Sequence, residues 1–366
     1  IAELGVSVAD EVAPITAVPA VTLSAQPHRR STVEGTSDDD SDRTRSTKSK
    51  LIEHEKLKSQ VSIMKNASPT SPVKKTGKKK DESLYVNAAC TYIEKRGWAG
   101  IEEDFERRHR PNCKEMNRDT RVILSTNVPP DSDYYDANFI EIPGADLKYI
   151  ATSLPNHGDT NAVANFWRMV FDSGAANIVF MEGYNEDTLI YPTAAKETID
   201  YGKMQVMYKK STRSDKDVQS ILEILPEGCS NSIVVRVIHV VWYPSSGDGR
   251  RRRMGLHPIR LLKDEKGIIM VACATGMMRC GTFIALHSAI ESCQSKKPFN
   301  VPETIERMRM GRWGIVSTME SYLLIYVLLL EFFAVKRKNK QEVVARFRAI
   351  LDGYAKHREV MKARKR

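Results

Sequence analysis

The stretch that most constrains this chain is residues 268–284, IIMVACATGMMRCGTFI. An apolar run reads as a buried strand, and it enters a turn holding Cys273, Gly276, Arg279 and Gly281 before a helix that begins near Cys280. A strand, a glycine-bearing turn and a helix N-terminus in this order form a cradle for an anion. Successive loop N–H groups and the positive helix end point at one place, and an arginine six positions past the cysteine can close on the anion bidentately. The candidate phosphate-binding set is therefore Cys273, Ala274, Thr275, Gly276, Met277, Met278 and Arg279. A cysteine in such a field has a lowered pKa and can attack phosphorus, which makes Cys273 and Arg279 the candidate catalytic pair. The competing reading is a buried, inert Cys273 and a surface Arg279. The position between a buried strand and a helix favours the cradle.

The chain is long enough for one large domain or two ordinary ones, with 366 residues, 41% hydrophobic and 28% charged. Residues 1–80 are rich in Ser, Thr, Pro, Lys and Asp and read as a disordered polar tail. Residues 81–334 hold the periodic segments. A helical pattern over 84–106 is interrupted at Gly97 and Gly100, and strands are expected at 121–124, 149–152, 178–181, 204–209, 220–225, 232–241 and 268–273. An amphipathic helix is expected at 160–173, and helices follow residue 280 apart from a loop near 311–317. Strands mixed with segregated helices predict an α+β domain. Residues 335–366 read as a basic helical extension with Val344, Phe347, Ile350, Leu351 and Tyr354 on one face. Docking on the domain, a partner helix or an anionic membrane surface each satisfies that face.

The formal charge of +10 invites a nucleic-acid reading, but the surplus lies in the appendages. Residues 1–80 net +4, residues 81–330 net −2 and residues 331–366 net +8, so no nucleic-acid partner is expected. Six cysteines without a CxxC pair or a zinc-ligand spacing argue against a disulfide framework and a metal, and no other cofactor is implied. The longest apolar runs are too short for a membrane span, and residues 1–25 lack a secretory n-region and h-region. The chain starts without Met, as a fragment of a longer one would. A reducing, cytoplasmic location is expected.

Residues 268–284 resemble the signature loop of the protein tyrosine phosphatases, V-H-C-S-A-G-x-G-R-S/T-G, and the flanks agree. The run Asp133, Tyr134, Tyr135, Asp136, Ala137, Asn138, Phe139 resembles D-Y-I-x-A-N-Y, and YIATSLP at 149–155 resembles Y-I-A-T-Q-x-P. FWRMV at 166–170 resembles F-W-x-M-V, and residues 315–326 resemble M-V-Q-T-x-x-Q-Y-x-F-x-Y. The resemblance covers residues 84–334, in style most like the divergent nematode members. It implies a twisted central mixed sheet flanked by helices, with the active-site loop between a strand and a helix.

The departures from that family bear on activity. Ala272 stands where the family has His, and Cys280 where it has a Ser or Thr hydroxyl that stabilises the thiolate. With a Cys273 pKa near 8.5, only about 3% would be thiolate at neutral pH, a loss on the order of 30-fold. Met278 replaces the loop's second glycine, and a side chain there is expected to obstruct or partly fill the cradle. The general-acid loop W-P-D-x-G corresponds to residues 242–247, with Pro244 or Ser245 in place of Asp; Asp248 is the candidate substitute acid. Losing a positioned acid costs about 10² to 10⁴ in rate. Both water-positioning glutamines are replaced, by Ser317 and Ser321. Cys113 stands at the aromatic of the substrate-recognition loop, and the glutamate-lysine loop is shortened to residues 185–192 without its lysine.

The resemblance places Cys113, Trp242, Arg250 and Arg251 at the substrate, the last two in an arginine run at 250–253 that either meets acidic groups of a partner or is a solvated loop. Backbone donors and Arg279 can hold a dianion without the missing groups. The expectation is a pseudophosphatase scaffold that binds phosphotyrosine or an acidic protein partner, for instance a phosphorylated kinase. The alternative is a weakly active phosphatase working through a phosphocysteine. By the same resemblance, Cys273 and Cys280 are close enough to form a disulfide on oxidation.

Overall fold

A computed structural model describes residues 82–108, 118–127, 133–142, 145, 147–242, 249–263, 265–295, 297, 299–336 and 341–365. The tail expected over 1–80, Cys113 and Asp248 lie outside the described residues, as do the side chains of Arg250 and Arg251.

Nine strands form one sheet: β1 (Arg121–Ile123), β2 (Tyr134–Ile140), β3 (Lys148–Ser153), β4 (Asn177–Phe180), β5 (Thr198–Tyr201), β6 (Met204–Arg213), β7 (Asp217–Pro226), β8 (Ile233–Val240) and β9 (Ile268–Cys273). Their order is β1-β2-β3-β9-β4-β8-β7-β6-β5. The four central strands β3, β9, β4 and β8 are parallel, and antiparallel pairs extend the sheet on both sides. Parallel strands are covered on both faces, which is why β4 is buried throughout and β9 nearly so, both largely apolar rather than alternating. The expected strands shift at their ends, most at β6, which runs on to Arg213, and at β7, which begins at Asp217, because the two pair with each other; β2 and β5 are strands that were not expected, at 134–140 and 198–201.

The helices are α1 (Glu82–Arg108), α2 (Thr160–Ser173), α3 (Gly249–Gly255), α4 (His257–Leu261), α5 (Met278–Gln294), α6 (Val301–Gly311), α7 (Met319–Lys336) and α8 (Gln341–Lys365). Side chains alternate across the sheet. Tyr149, Ala151, Ile269 and Val271 join the core formed with α1, α5, α6, α7 and α8, while Ile150, Met270 and Ala272 join the opposite core with α2. The helix α2 has the expected bounds because its ends are specified locally. The Asp159 carboxylate accepts the N–H groups of Asn161 and Ala162, and Gly174 closes the helix in the left-handed region at φ 65°. Of the two glycines expected to interrupt α1, Gly97 does so, at φ 64°.

The apolar face of α8 docks on the domain. Phe347, Ile350 and Tyr354 are buried, the Trp98 indole N–H donates to the Ile350 carbonyl at 3.1 Å, and Arg346 pairs with Glu94 at 2.5 Å. Among the described residues, no helix is long and apolar enough to cross a membrane.

Candidate active site

Strand pairing sets the site before any side chain does. In the register of β9, Ser153 lies opposite Cys273 on one side and Phe180 opposite Ala272 on the other. The chain leaving β4 is thereby delivered beside the loop that leaves β9, and the Met181 N–H donates to the Ala272 carbonyl at 2.9 Å.

The loop turns at Gly276, whose φ is 65° and whose N–H donates to the Cys273 carbonyl at 3.1 Å. A Cβ there would lie 2.6 Å from the Thr152 carbonyl carbon and 2.8 Å from the Ser153 nitrogen. Only glycine lets this loop pass so close to β3. Folded back in this way, the Cys273 sulfur faces the N–H groups of Thr275, Gly276 and Cys280, and the Cys280 sulfur lies 3.1 Å away.

That arrangement corrects the expected weakening of the thiolate. The Cys280 thiol donates to Cys273, and this bond, helped by the three N–H groups, outweighs burial and lowers the Cys273 pKa to about 6. About nine-tenths is then thiolate at neutral pH, against the 3% expected for a thiol at its ordinary value. The thiol at 280 replaces the hydroxyl as hydrogen-bond donor. Burial, reinforced by its bond to Cys273 and that thiolate's charge, pushes the Cys280 thiol well above its ordinary value, so it stays protonated.

Arg279 is held by a residue that the sequence reading missed. Its Nη1 donates to Glu182 Oε2 at 2.7 Å and to the Met181 carbonyl at 3.1 Å, and its Nη2 lies 2.5 Å from Glu182 Oε1. The same Oε1 accepts the N–H of Ala274 at 3.2 Å. One carboxylate therefore ties the arginine to the loop. Arg312, 5% exposed, braces the other side: its Nη2 donates to the Thr275 carbonyl at 3.1 Å and to Asp136 at 2.9 Å, and its Nη1 to Asn138 at 2.7 Å. Arg309 donates to the carbonyls of Ile315 and Val316, supporting the loop that carries Ser317.

The remaining expected residues fall in different places. Ala274 and Thr275 are exposed at the loop crest, and Met277 precedes α5. Met278 opens that helix with its side chain 40% exposed, so it is not packed into the core of the loop. Trp242 is a correction. It is 1% exposed, its indole N–H donates to the Gly255 carbonyl at 3.0 Å and its ring packs edge-on against Phe283, so it anchors the segment after β8 and offers no surface to a substrate.

The arginine run is helical rather than a free loop, forming part of α3, and Arg252 and Arg253 both pair with Glu331 of α7, at 3.1 and 3.7 Å. The Ser321 hydroxyl receives a hydrogen bond from Thr318 at 2.9 Å, within the first turn of α7. Glu182 also lines a cavity of about 200 Å³ with Phe180, Ile190 and His239. Among the described residues, no cluster of three or more His, Cys, Asp or Glu side chains is placed to hold a metal ion.

A model of the protein-tyrosine phosphatase family matches residues 105–331, well over half of the chain. The chain belongs to that family. The phosphatase domain is 29% identical over 213 residues to a putative tyrosine-protein phosphatase of Caenorhabditis elegans, a match that covers 55% of this chain and 51% of that protein. It is 24% identical over 242 residues to the rat tyrosine-protein phosphatase non-receptor type 20, covering 63% of this chain and 57% of the other. Over 236 residues it is 30% identical to the human receptor-type tyrosine-protein phosphatase epsilon, covering 59% and 32%. The chain thus spans between a third and three fifths of the length of these relatives. The mixed nine-stranded sheet flanked by helices is the fold that the resemblance implied.

Proposed function

We propose that this phosphatase domain binds phosphotyrosine on an acidic protein partner and turns it over poorly or not at all, serving as a binding or scaffold module in signalling. The observation that carries the proposal is the linkage of Arg279 through Glu182 to the Ala274 N–H. It supports a phosphate site in which guanidinium and backbone donors are fixed in advance, so little ordering is needed on binding.

In this reading Cys273 to Arg279 cradle the phosphate, with Arg279 as the bidentate donor. Poor turnover follows from residues absent in the sequence. No aspartate stands at 244 or 245 to protonate the leaving phenolate, and Ser317 and Ser321 are too short to position water as the family's glutamines do. Asp248 is the only nearby substitute acid in the sequence, and we assign it no more than that.

One observation favours a second reading, a weakly active phosphatase. With its pKa near 6, Cys273 is charged and able to attack phosphorus, so phosphocysteine can form while its hydrolysis stays slow.

Turnover of a phosphotyrosine peptide or an aryl phosphate separates the two. Release of many equivalents of phosphate, lost in Cys273→Ser, would establish the second reading. Binding that persists in Cys273→Ser and fails in Arg279→Ala, with at most one equivalent released by the wild type, is the result expected for the first.

A further inference from the structure

We propose that the cavity beside Glu182 is a second ligand site, separate from the phosphate cradle, that takes a small neutral aromatic molecule bearing a hydroxyl. The cavity measures about 200 Å³, and one of about 150 Å³ is enough to hold a benzene ring. Three parallel strands build it at their carboxyl ends: Leu154 follows β3, Phe180 and Glu182 end and follow β4, and His239 lies one residue before the end of β8. Crevices outside the carboxyl ends of parallel strands are where open sheets of this kind receive ligands. Ile190, which is buried, and Thr188, which is exposed at the rim, complete the wall.

The side chain that points to a ligand is His239. It pairs with Phe180 in the register of β4 and β8 and is 7% exposed. The rings of Phe180, Tyr184 and Tyr191 pack around it, with centroids 4.7, 5.5 and 5.7 Å away, and hold its plane. Neither ring nitrogen makes a hydrogen bond of normal geometry to a described residue. Burial lowers its pKa to about 4, and the nearby main chain of Glu182 offsets only part of that effect. The imidazole is therefore neutral at physiological pH, with one N–H donor and one acceptor nitrogen both unmet. Two buried polar atoms without partners are costly, and a hydroxyl, which donates and accepts, can satisfy either.

Charge narrows the class of ligand. The Glu182 carboxylate on the wall repels an anion, so the cavity does not duplicate the cradle. Both oxygens of that carboxylate are engaged by Arg279 and the Ala274 N–H, and neutral His239 adds no negative charge, so a cation gains little. Leu154, Phe180 and Ile190 supply apolar wall, and His239 supplies the polar point that orients a ligand within it.

The test titrates the full chain with phenol, toluene and benzoate and follows the amide and imidazole resonances by NMR. The His239 signals are those missing from His239→Phe. Phenol is expected to bind saturably and to shift them, with toluene roughly 3- to 10-fold weaker, the value of one neutral hydrogen bond, and benzoate not bound. In His239→Phe the preference for phenol over toluene should vanish, which a purely structural role for the histidine would not produce. Thr188→Trp, at the exposed rim, should close the mouth and abolish phenol binding in a folded protein. Saturating vanadate should leave the phenol affinity unchanged. Displacement of phenol by vanadate, unmoved His239 signals, a preference for phenol that survives His239→Phe, or undiminished binding in Thr188→Trp would overturn the proposal. Phosphotyrosine takes no part in this readout. A domain that fails to bind it still reports on the cavity, and a cavity that rejects phenol leaves the binding reading intact.

Discussion

Glu182 and Arg279 meet as two forks, each carboxylate oxygen on a different terminal nitrogen, at 2.7 and 2.5 Å. The contact crosses 97 positions of sequence and exists because β4 and β9 run side by side. Arg279 approaches the cradle already oriented, and the Ala274 N–H is tied to the same carboxylate.

Removing the fork should loosen the site. Glu182→Ala is expected to weaken vanadate or phosphotyrosine-peptide affinity roughly 10- to 100-fold, the value of a charge-assisted bidentate bond, with Glu182→Gln intermediate. Calorimetric titration measures it. Tighter binding in Glu182→Ala would mean that the carboxylate competes with the ligand rather than orienting Arg279.

Alkylation of Cys273 reports its titration directly. Since only the thiolate reacts, the iodoacetamide rate should rise through an inflection near pH 6. Cys280→Ala deletes the largest cause of the lowered value and should move the inflection up, towards the ordinary thiol range near 8.5. An unchanged inflection would assign the effect to the backbone N–H groups alone.

Two glycines with the same backbone angle should respond differently to alanine. At Gly276 a Cβ meets the backbone of β3 within 2.8 Å, so Gly276→Ala should destabilise the domain by about 2–4 kcal/mol and abolish anion binding. At Gly174, which has open space around it, the same change should cost only about 1 kcal/mol for the left-handed conformation, with binding untouched. Urea unfolding together with vanadate titration checks both.

Acid should erode stability through two buried histidines. His239 packs among the rings of Phe180, Tyr184 and Tyr191, and His287 lies in the core beside Tyr149 and Phe283. Burial lowers each pKa from 6.5 to about 4. The unfolded chain therefore takes up protons first, and stability present above pH 6.5 is lost as pH falls from 6.5 towards 4. Between pH 7 and 5 each ring should account for about 2 kcal/mol. Urea unfolding of His239→Phe should show a correspondingly smaller loss over that interval, and an unchanged one would remove His239 from the account.

The cradle and α2 were legible in the sequence because their signals are local: glycine and arginine in a turn between apolar segments, and Asp159 and Gly174 as caps. Strand β5 was not legible, since it lies at the edge of the sheet with exposed and half-buried side chains in alternation and takes its structure from pairing with β6. Glu182 and Arg312 were missed for a related reason. Each reaches the loop through strand order or through a partner such as Asp136, 176 positions distant, and neither has a local pattern. The tryptophan at 242 was placed at the substrate by resemblance, whereas a large side chain ending an apolar strand is equally the mark of a core anchor. The strength of the thiolate depended on a sulfur–sulfur distance that composition and spacing do not encode.

The most direct measurement of the central claim is the titration of a phosphotyrosine peptide and its unphosphorylated twin into Cys273→Ser and Arg279→Ala. The account predicts saturable binding of the phosphorylated peptide alone by Cys273→Ser and its loss in Arg279→Ala. Equal binding of both peptides, or binding indifferent to Arg279, would contradict it.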